Sequence, residues 1–213
     1  MPPETAPKTP SVAVFDLGGV LLDWNPRHLY RKLIPDPAEM ERFLATVTTP
    51  QWHQVQDQGG DPVESTRRLQ AQNPGHEGLI AAFYDRFDEM CHHAFPEMAD
   101  LVERLHRAGT PLYLLSNAPG FLDAWLRGPA HDRHPFLGRF RDYVISGAVG
   151  CSKPQPEIYD LVCHIGRFRP DDAVFIDDVL TNVEGARAIG MSAVHHRSAD
   201  ETARALRAMG LPI

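Results

Sequence analysis

The sequence predicts an α/β fold, a doubly wound parallel sheet with an inserted all-helical cap. Three observations lead to this prediction. Short apolar runs rich in β-branched and aromatic residues alternate with segments of helical period. One long segment, residues 23–93, interrupts the alternation without a convincing strand, and polar residues stand directly after several of the apolar runs. The pattern therefore indicates a single core of strands and helices that carries a helical insertion.

The five apolar runs are predicted as buried strands because they are short, continuous and rich in strand-favouring residues. They lie at 12–15, 112–115, 143–145, 173–176 and 193–194. Between them, apolar residues such as Leu101, Leu105 and Ile158 recur at helical spacing. Strands that alternate with helices favour a parallel sheet covered on both faces.

The insertion contains two well-marked helix starts. Asp36 and Asp61 are each followed by proline and then, three residues after the Asp, by glutamate. This order places an Asp at the N-cap, Pro at the first helical position and Glu at the third. Because the insertion follows the first strand and precedes the second, we expect it over the carboxyl edge of the sheet, where open α/β folds bind ligands.

The expected organisation is a disordered tail at 1–10, a core made of 11–22 and 94–213, and a helical cap at 23–93. The tail is predicted from its four prolines and its lack of an apolar run. The chain has 213 residues, of which 43% are hydrophobic and 23% charged. These values are typical of one globular domain with an insertion.

Charge and cysteine content narrow the possible partners and compartment. The formal charge is −7 and no dense basic stripe is present, so neither nucleic acid nor a membrane is an expected partner. An anionic substrate would have to be attracted by local positive charge or a metal. Three scattered cysteines, no signal peptide and no apolar stretch of about 20 residues predict a cytoplasmic protein. The expected oligomeric state is a monomer or weak homodimer.

Candidate functional residues stand at the ends of the first three strands. Asp16 is followed by Gly18 and Gly19, a pattern that fits either a strand-end nucleophile or an ordinary tight turn. Ser116 and Asn117 could donate hydrogen bonds to a phosphoryl oxygen or could cap a helix. Lys153, expected at the start of a helix after the third strand, is a compact cation suited to phosphate, although a lone lysine is usually solvated.

Two adjacent carboxylates, Asp177 and Asp178, end the fourth predicted strand. They repel each other unless a proton or a cation intervenes, and a hard divalent ion would meet that need. Surface acids in a loop are the alternative interpretation. Thr181 and Glu184 are predicted to form a capping box for the following helix.

Taken together and in this order, the chain resembles the haloacid dehalogenase superfamily from about residue 12 to residue 209. Asp16, Ser116 and Lys153 match its first three motifs, and Asp177-Asp178 match the fourth. The strings 16–20, 115–117 and 175–178 look most like small sugar-phosphate phosphatases similar to bacterial α-glucose-1-phosphate phosphatase. The amino-terminal phosphatase domain of soluble epoxide hydrolase is a more distant relative.

The resemblance implies a Mg²⁺-dependent phosphatase that acts on a small phosphorylated metabolite, with sugar phosphates as the expected class. Asp16 would attack phosphorus and form an aspartyl-phosphate. Mg²⁺ would be held by Asp16, the Gly18 carbonyl and Asp178, with Asp177 beside it. The phosphoryl oxygens would be held by Ser116 and Lys153, and Asn117 is a further candidate for that contact. Carboxylate and carbonyl oxygens suit Mg²⁺, and charge neutralisation suits phosphoryl transfer.

Gly18 departs from the family pattern, in which an Asp two residues after the nucleophile acts as general acid and base. Three interpretations follow. An anomeric hydroxyl could leave with little acid assistance, a cap residue or water could replace the missing group, or the protein could be a poor catalyst. Gly18 also argues against a phosphomutase, which must move protons repeatedly.

Two further functions remain open at this point. A metal-free 2-haloacid dehalogenase uses the same nucleophilic Asp, although it has no need of two crowded acids. A non-catalytic sugar-phosphate-binding protein would also tolerate Gly18. In the cap, candidate substrate contacts are Trp24, Trp52, His53, Gln54 and Gln56, with packing between helices as the alternative for each Trp. The histidines as a group are interpreted as surface residues.

Overall fold

The computed structural model describes residues 8–91 and 93–213. Most of the predicted disordered tail, residues 1–7, lies outside the described residues. The prediction is wrong for residues 8–10: Lys8 pairs with Asp171 and Asp172, and Pro10 is buried. The first strand starts only two residues after Pro10, so these residues are held against the core.

Five parallel strands form one sheet in the order β3-β2-β1-β4-β5. Their bounds are β1 (Val12–Phe15), β2 (Leu112–Ser116), β3 (Asp142–Ile145), β4 (Ala173–Asp177) and β5 (Ser192–His195). The central position of β1 places the end of this strand between β2 and β4. This topology confirms the predicted α/β fold with a parallel sheet.

Helices cover both faces of the sheet, since alternate residues of β1 belong to different apolar clusters. Ala13 and Phe15 belong to one cluster, and Val12 and Val14 belong to the other. In the core, α6 (Pro96–Arg107) precedes β2. The α-helices after β2 are α7 (Leu122–Arg127), α8 (Pro129–Arg133), α9 (Ser146–Val149), α10 (Pro156–Gly166), α11 (Leu180–Ala188) and α12 (Ala199–Ala208). This arrangement is the doubly wound architecture.

Between β1 and α6 the described residues form five α-helices, followed by a short 3-10 helix at Phe87–Glu89. The α-helices are α1 (Arg27–Leu33), α2 (Pro37–Thr46), α3 (Pro50–Asp57), α4 (Pro62–Gln72) and α5 (Glu77–Asp85). Both predicted N-caps are confirmed: the Asp36 carboxylate accepts the amide of Ala38, and that of Asp61 accepts the amide of Val63. Apolar residues of these helices join the same cluster as one face of the sheet.

The carboxyl end of α3 packs directly against the loop after β2 and the start of α9. The Ser146 hydroxyl donates to the Asp57 carbonyl and accepts the amide of Ala118 at 3.0 Å. A Cβ atom on Gly147 would lie 2.7 Å from the carbonyl oxygen of Gln56. We call this contact, formed by Gln56, Asp57, Ala118, Ser146 and Gly147, the α3 seam. Backbone meets backbone there with no room for an added side chain.

The predicted capping box at Thr181 and Glu184 is wrong. Helix α11 begins at Leu180, so both residues lie inside it. The N-cap residue is Val179, which has no side-chain acceptor for the first helical amides, and its own amide donates to Oδ1 of Asp177 at 2.7 Å. Among the described helices, none combines the length and apolarity needed to cross a bilayer.

Candidate active site

The strand-end residues converge on one cavity of about 490 Å³ at the carboxyl edge of the sheet. Its lining includes six of the seven residues predicted from the sequence, namely Asp16, Gly18, Ser116, Asn117, Lys153 and Asp178. The seventh, Asp177, is fully buried at the end of β4. The insertion contributes further walls through α3 and through the segments before α1 and after α5, so the cavity lies between the sheet edge and the insertion.

Lys153 is a buried cation between two carboxylates. Its Nζ lies 2.8 Å from Oδ1 of Asp16 and 2.7 Å from Oδ2 of Asp177, and its side chain is only 1% exposed. It also donates to the carbonyl of Leu115 at 3.0 Å. Burial alone would lower the pKa of Lys153, but the charges of Asp16 and Asp177 and its hydrogen bonds to them raise it overall. The ammonium therefore remains charged within the protein.

Asp177 is the acid that holds this cation in place. Besides Lys153, it accepts both the Asn182 side-chain amide, at 3.1 Å from each carboxylate oxygen, and the Val179 amide. These donors fix the position and orientation of the buried carboxylate. Asp177 is therefore equipped to neutralise and orient Lys153.

The surroundings of Asp16 act in opposite directions on the charge of its carboxyl group. Its Oδ1 accepts the amide of Leu17 at 2.7 Å and faces Lys153. Burial nevertheless raises the pKa of Asp16 to about 7, with the Lys153 ammonium opposing that rise and the Asp177 charge adding to it. Additional positive charge at this site would favour the ionised carboxylate.

The side chain of Asn117 binds the backbone of Lys153. Its Nδ2 donates to the Lys153 carbonyl and its Oδ1 accepts the Lys153 amide, both at 2.9 Å. Asn117 also lines the cavity, and the contact of its amide with a phosphoryl oxygen stays a prediction. The two bonds to Lys153 fix the lysine-bearing loop to the end of β2. Ser116, beside it, is buried and lines the cavity.

Three carboxylates meet closely enough to share a metal ion. Asp16, Asp177 and Asp178 each offer an oxygen, and these oxygens all lie within 4.8 Å of one another. Burial of the carboxyl and the neighbouring Asp177 charge raise the pKa of Asp178, although the residue remains exposed in the cavity. The set fits a hard divalent cation such as Mg²⁺, which prefers oxygen ligands.

Gly19 makes room for this acidic group. It has a φ of +74°, and a Cβ atom at this position would collide with the Asp178 carboxylate. Gly18 is different, because its Cβ position is open, with the nearest atom, Cβ of Trp24, at 3.6 Å. A side chain is therefore excluded at Gly19 but can be accommodated at Gly18.

A family model for haloacid dehalogenase-like hydrolases matches residues 10–190, which includes all of these strand-end residues. The chain belongs to this hydrolase family. It is 28% identical over 197 residues to a sesquiterpene phosphatase from Aspergillus oryzae, covering 92% of this chain and 94% of the relative. It is also 26% identical to a phosphoglycolate phosphatase from Pseudomonas aeruginosa, covering 89% and 70% of the two chains.

Solved structures of the family share this fold. A haloacid dehalogenase family enzyme from Bacteroides thetaiotaomicron, crystallised as a magnesium complex, superimposes with a TM-score of 0.68 at 22% identity. The match covers 94% of this hydrolase and 100% of that chain. The family resemblance inferred from the strand-end motifs is thereby confirmed.

The insertion of this hydrolase contributes three of the five candidate substrate contacts. Trp24, His53 and Gln54 line the cavity. Trp52 does not, and packs instead against Phe83 and Tyr84, with ring centroids 5.2 and 5.3 Å away. The fifth candidate also lies outside the lining: Gln56 is fully buried and donates to Ser65.

The interpretation of the histidines as surface residues is wrong for His53. Its side chain is 12% exposed and stacks on Trp24, with ring centroids 5.2 Å apart. Burial lowers the pKa of His53 to about 4, so the imidazole is neutral at pH 7. His134 is buried as well.

Several lining residues of the hydrolase were not identified from the sequence. They are Asp57 and Phe87 of the insertion and Leu122, Trp125 and Asn182 of the core. Asp57 could have been found, because it follows His53 by four residues and so shares one face of α3 with it. The aromatic and aliphatic residues carry no comparable signal, since such side chains are usually part of the core.

Proposed function

We propose that this hydrolase is a Mg²⁺-dependent phosphatase that cleaves a small phosphorylated metabolite through an aspartyl-phosphate on Asp16. One observation carries the proposal: three carboxylates and a buried lysine surround the end of β1 in a single cavity. Such a site can hold a cation and a phosphoryl group together. The phosphatase relatives support the same reaction class.

The reaction begins with attack of Asp16 on phosphorus. Oδ1 of this residue is occupied by the Leu17 amide and Lys153, so we assign the attack to Oδ2. The P–O bond to the leaving group breaks as the aspartyl-phosphate forms. Water then attacks the same phosphorus, releases inorganic phosphate and restores the Asp16 carboxylate.

The remaining site residues position and neutralise the phosphoryl group. Ser116 and Lys153 would contact its oxygens, whereas Asn117 and Asp177 would hold Lys153 in place. Mg²⁺ would be held by Asp16, Asp178 and the Gly18 carbonyl, next to Asp177, and would supply charge neutralisation. Positioning and charge neutralisation are the main contributions that phosphoryl transfer requires.

The walls of the cavity favour two substrate classes. Gln54 and Asp57 line the same cavity as Trp24, and a combination of polar groups and an aromatic wall suits a sugar phosphate. The apolar wall of Phe87, Leu122 and Trp125 suits the phosphate ester of a hydrophobic alcohol, which is also the substrate type named for the sesquiterpene phosphatase relative. We propose sugar phosphates first and hydrophobic esters second.

Hydrolysis of p-nitrophenyl phosphate, measured with Mg²⁺ and with excess EDTA, tests the reaction class. We expect turnover that stops with EDTA, followed by a preferred substrate in a screen of sugar phosphates and prenyl-type phosphates. Activity that survives EDTA, or release of halide from 2-haloacids, would instead support a metal-free dehalogenase. No turnover of any ester would support a binding protein.

A further inference from the structure

Besides the sheet-edge acids, the described lining of the cavity contains another carboxyl group, that of Asp57 at the end of α3. Its side chain is 15% exposed, and its Oδ1 is buried without a hydrogen-bond partner among the described residues. A buried carboxyl without a donor is costly, because burial removes its hydration and nothing replaces it. Such a group calls for an explanation in terms of function.

The neighbours of Asp57 do not neutralise it. Nε2 of His53 lies 3.7 Å from Oδ1, too far for a hydrogen bond, and this imidazole is neutral at pH 7. Nδ1 of His53 is already paired with the Tyr84 hydroxyl at 3.1 Å. The charge that acts on Asp57 is that of Lys153, whose ammonium contacts Asp16 and Asp177.

We propose that Asp57 is the general acid and base of the reaction, supplied by the cap in place of the side chain that Gly18 lacks. This inference rests on the phosphatase function proposed above. Asp57 and Gly18 line the same cavity, one from α3 and the other from the loop after β1.

The protonation of Asp57 suits this role. Burial raises its pKa to about 7, against the opposing charge of Lys153, so the acid and the carboxylate are both populated near neutral pH. A general acid–base works best with a pKa near the working pH.

The α3 seam fixes where this carboxyl stands. The Ser146 hydroxyl binds the Asp57 carbonyl and also the amide of Ala118, which lies two residues after Ser116. The same hydroxyl therefore connects the backbone of Asp57 to the loop that carries the predicted phosphate-binding serine. The proton donor is held in a defined place relative to the phosphoryl site, as general acid catalysis requires.

The proton balance closes over the two steps. As Asp16 binds phosphorus and the ester P–O bond breaks, the Asp57 carboxyl gives its proton to the leaving oxygen, and the alcohol departs neutral. The Asp57 carboxylate then accepts a proton from the water that attacks the aspartyl-phosphate. The Asp16–phosphorus bond breaks, hydrogen phosphate leaves, and both acids return to their starting states.

Asp57→Asn keeps the shape of the side chain and removes its proton, and kcat/KM on two ester classes provides the test. On an alkyl phosphate, whose alkoxide needs protonation, we expect a loss of about 10²–10⁴-fold. On p-nitrophenyl phosphate, whose leaving group is stable as an anion, we expect a loss of less than about tenfold. The second step should then limit turnover and produce a burst of nitrophenolate.

Asp61→Asn is the matched control, because it removes one cap carboxylate outside the cavity and leaves an equally good N-cap. Its kcat/KM should stay within about twofold of wild type on both esters. Equal losses on the two esters for Asp57→Asn would overturn the assignment of Asp57. If wild type hydrolyses neither ester, the proposed phosphatase function fails instead.

Gly18→Asp provides a second test that does not depend on how Asp57→Asn folds. The position has room for a side chain, so the new carboxyl can restore the family pattern. In the Asp57→Asn background it should recover at least about tenfold of the lost alkyl phosphate activity. In the wild-type background, a gain of about 10²-fold or more on the alkyl phosphate would show that no donor was present and overturn the proposal.

Discussion

Lys153 at the sheet edge and Asp57 at the end of α3 are both buried ionisable groups facing one cavity, yet their surroundings differ. Lys153 contacts two carboxylates and a carbonyl, and its backbone is held by Asn117. Asp57 has a buried oxygen without a donor among the described residues. The charged groups at the sheet edge are thus already paired with one another before substrate binds, whereas the Asp57 carboxyl of the cap can still form a hydrogen bond to the substrate.

Trp24 in the cap and Asp177 at the sheet edge differ in the same way. The indole nitrogen of Trp24, like Oδ1 of Asp57, is buried without a described hydrogen-bond partner, and both residues line the cavity. Asp177 has several donors in the same structure. Preorganised charge serves the phosphoryl group common to all substrates, and unpaired groups in the cap can serve the variable part.

The largest expected effect is the loss of activity when Asp16 at the sheet edge is replaced. Asp16→Asn preserves the shape of the nucleophile but cannot attack phosphorus, so turnover should fall by about 10⁴-fold or more while the melting temperature is retained. Hydrolysis of p-nitrophenyl phosphate and a thermal melt measure both. A variant that keeps more than about a tenth of the wild-type rate would contradict the proposed mechanism.

Removing the central cation should have the next largest effect. Lys153→Met leaves two buried carboxylates uncompensated, and we expect a loss of about 3–5 kcal/mol in the free energy of unfolding, measured in urea. Lys8→Met is the control, because Lys8 is half exposed and pairs with Asp172 at the surface, where a loss of about 0–1 kcal/mol is expected. Similar losses in the two variants would show that Lys153 does not organise the site.

Metal binding should give a smaller stabilisation. Mg²⁺ at about 100 times its dissociation constant should add about 2.7 kcal/mol, because it binds the folded state alone. Asp178→Ala should abolish this shift and the activity, and without Mg²⁺ it should be neutral or mildly stabilising, since one of two crowded acids is gone. A wild-type melt unchanged by millimolar Mg²⁺ would remove the support for the metal site.

The smallest expected effect concerns the cap and is the pH dependence of stability that Asp57 causes. The pKa of Asp57 rises from 3.8 unfolded to about 7 folded, so the folded state binds the extra proton and this contribution to stability is lost as pH rises from about 4 to 7. Relative to wild type, Asp57→Asn should therefore become more stable at pH 8 than at pH 5, by about 2–3 kcal/mol. Unfolding in urea at both pH values measures the difference, and a pH-independent difference would argue against a raised pKa.

The sheet and its strand-end residues could be predicted because the information is local. Short apolar runs specify strands, and the carboxyl ends of parallel strands meet at one edge, which brings Asp16, Ser116 and Asp178 together. Asp36 and Asp61 were also predictable as N-caps, because each cap depends on a few adjacent residues.

Features that depend on distant contacts were not predictable. Asp57 reaches the cavity because its carbonyl is bound by Ser146, 89 residues away in sequence, and no local pattern encodes that contact. The helix start at Leu180 carries no capping pattern, because Val179 stands at the N-cap and has no side-chain acceptor for the first helical amides. His53 was misassigned because its burial depends on packing between α3 and the loop after β1.

The α3 seam has a consequence for engineering this hydrolase toward other substrates. A side chain at Gly147 would collide with the carbonyl oxygens of Gln56 and Ala118 and with the Gly120 amide, so the backbone on one side of this contact would have to shift. Trp24, Phe87 and Trp125 line the cavity and are not part of the seam. A mutant library that varies these three walls and leaves Ser146 and Gly147 untouched can change which alcohol fits while the groups that break the phosphate ester keep their spacing.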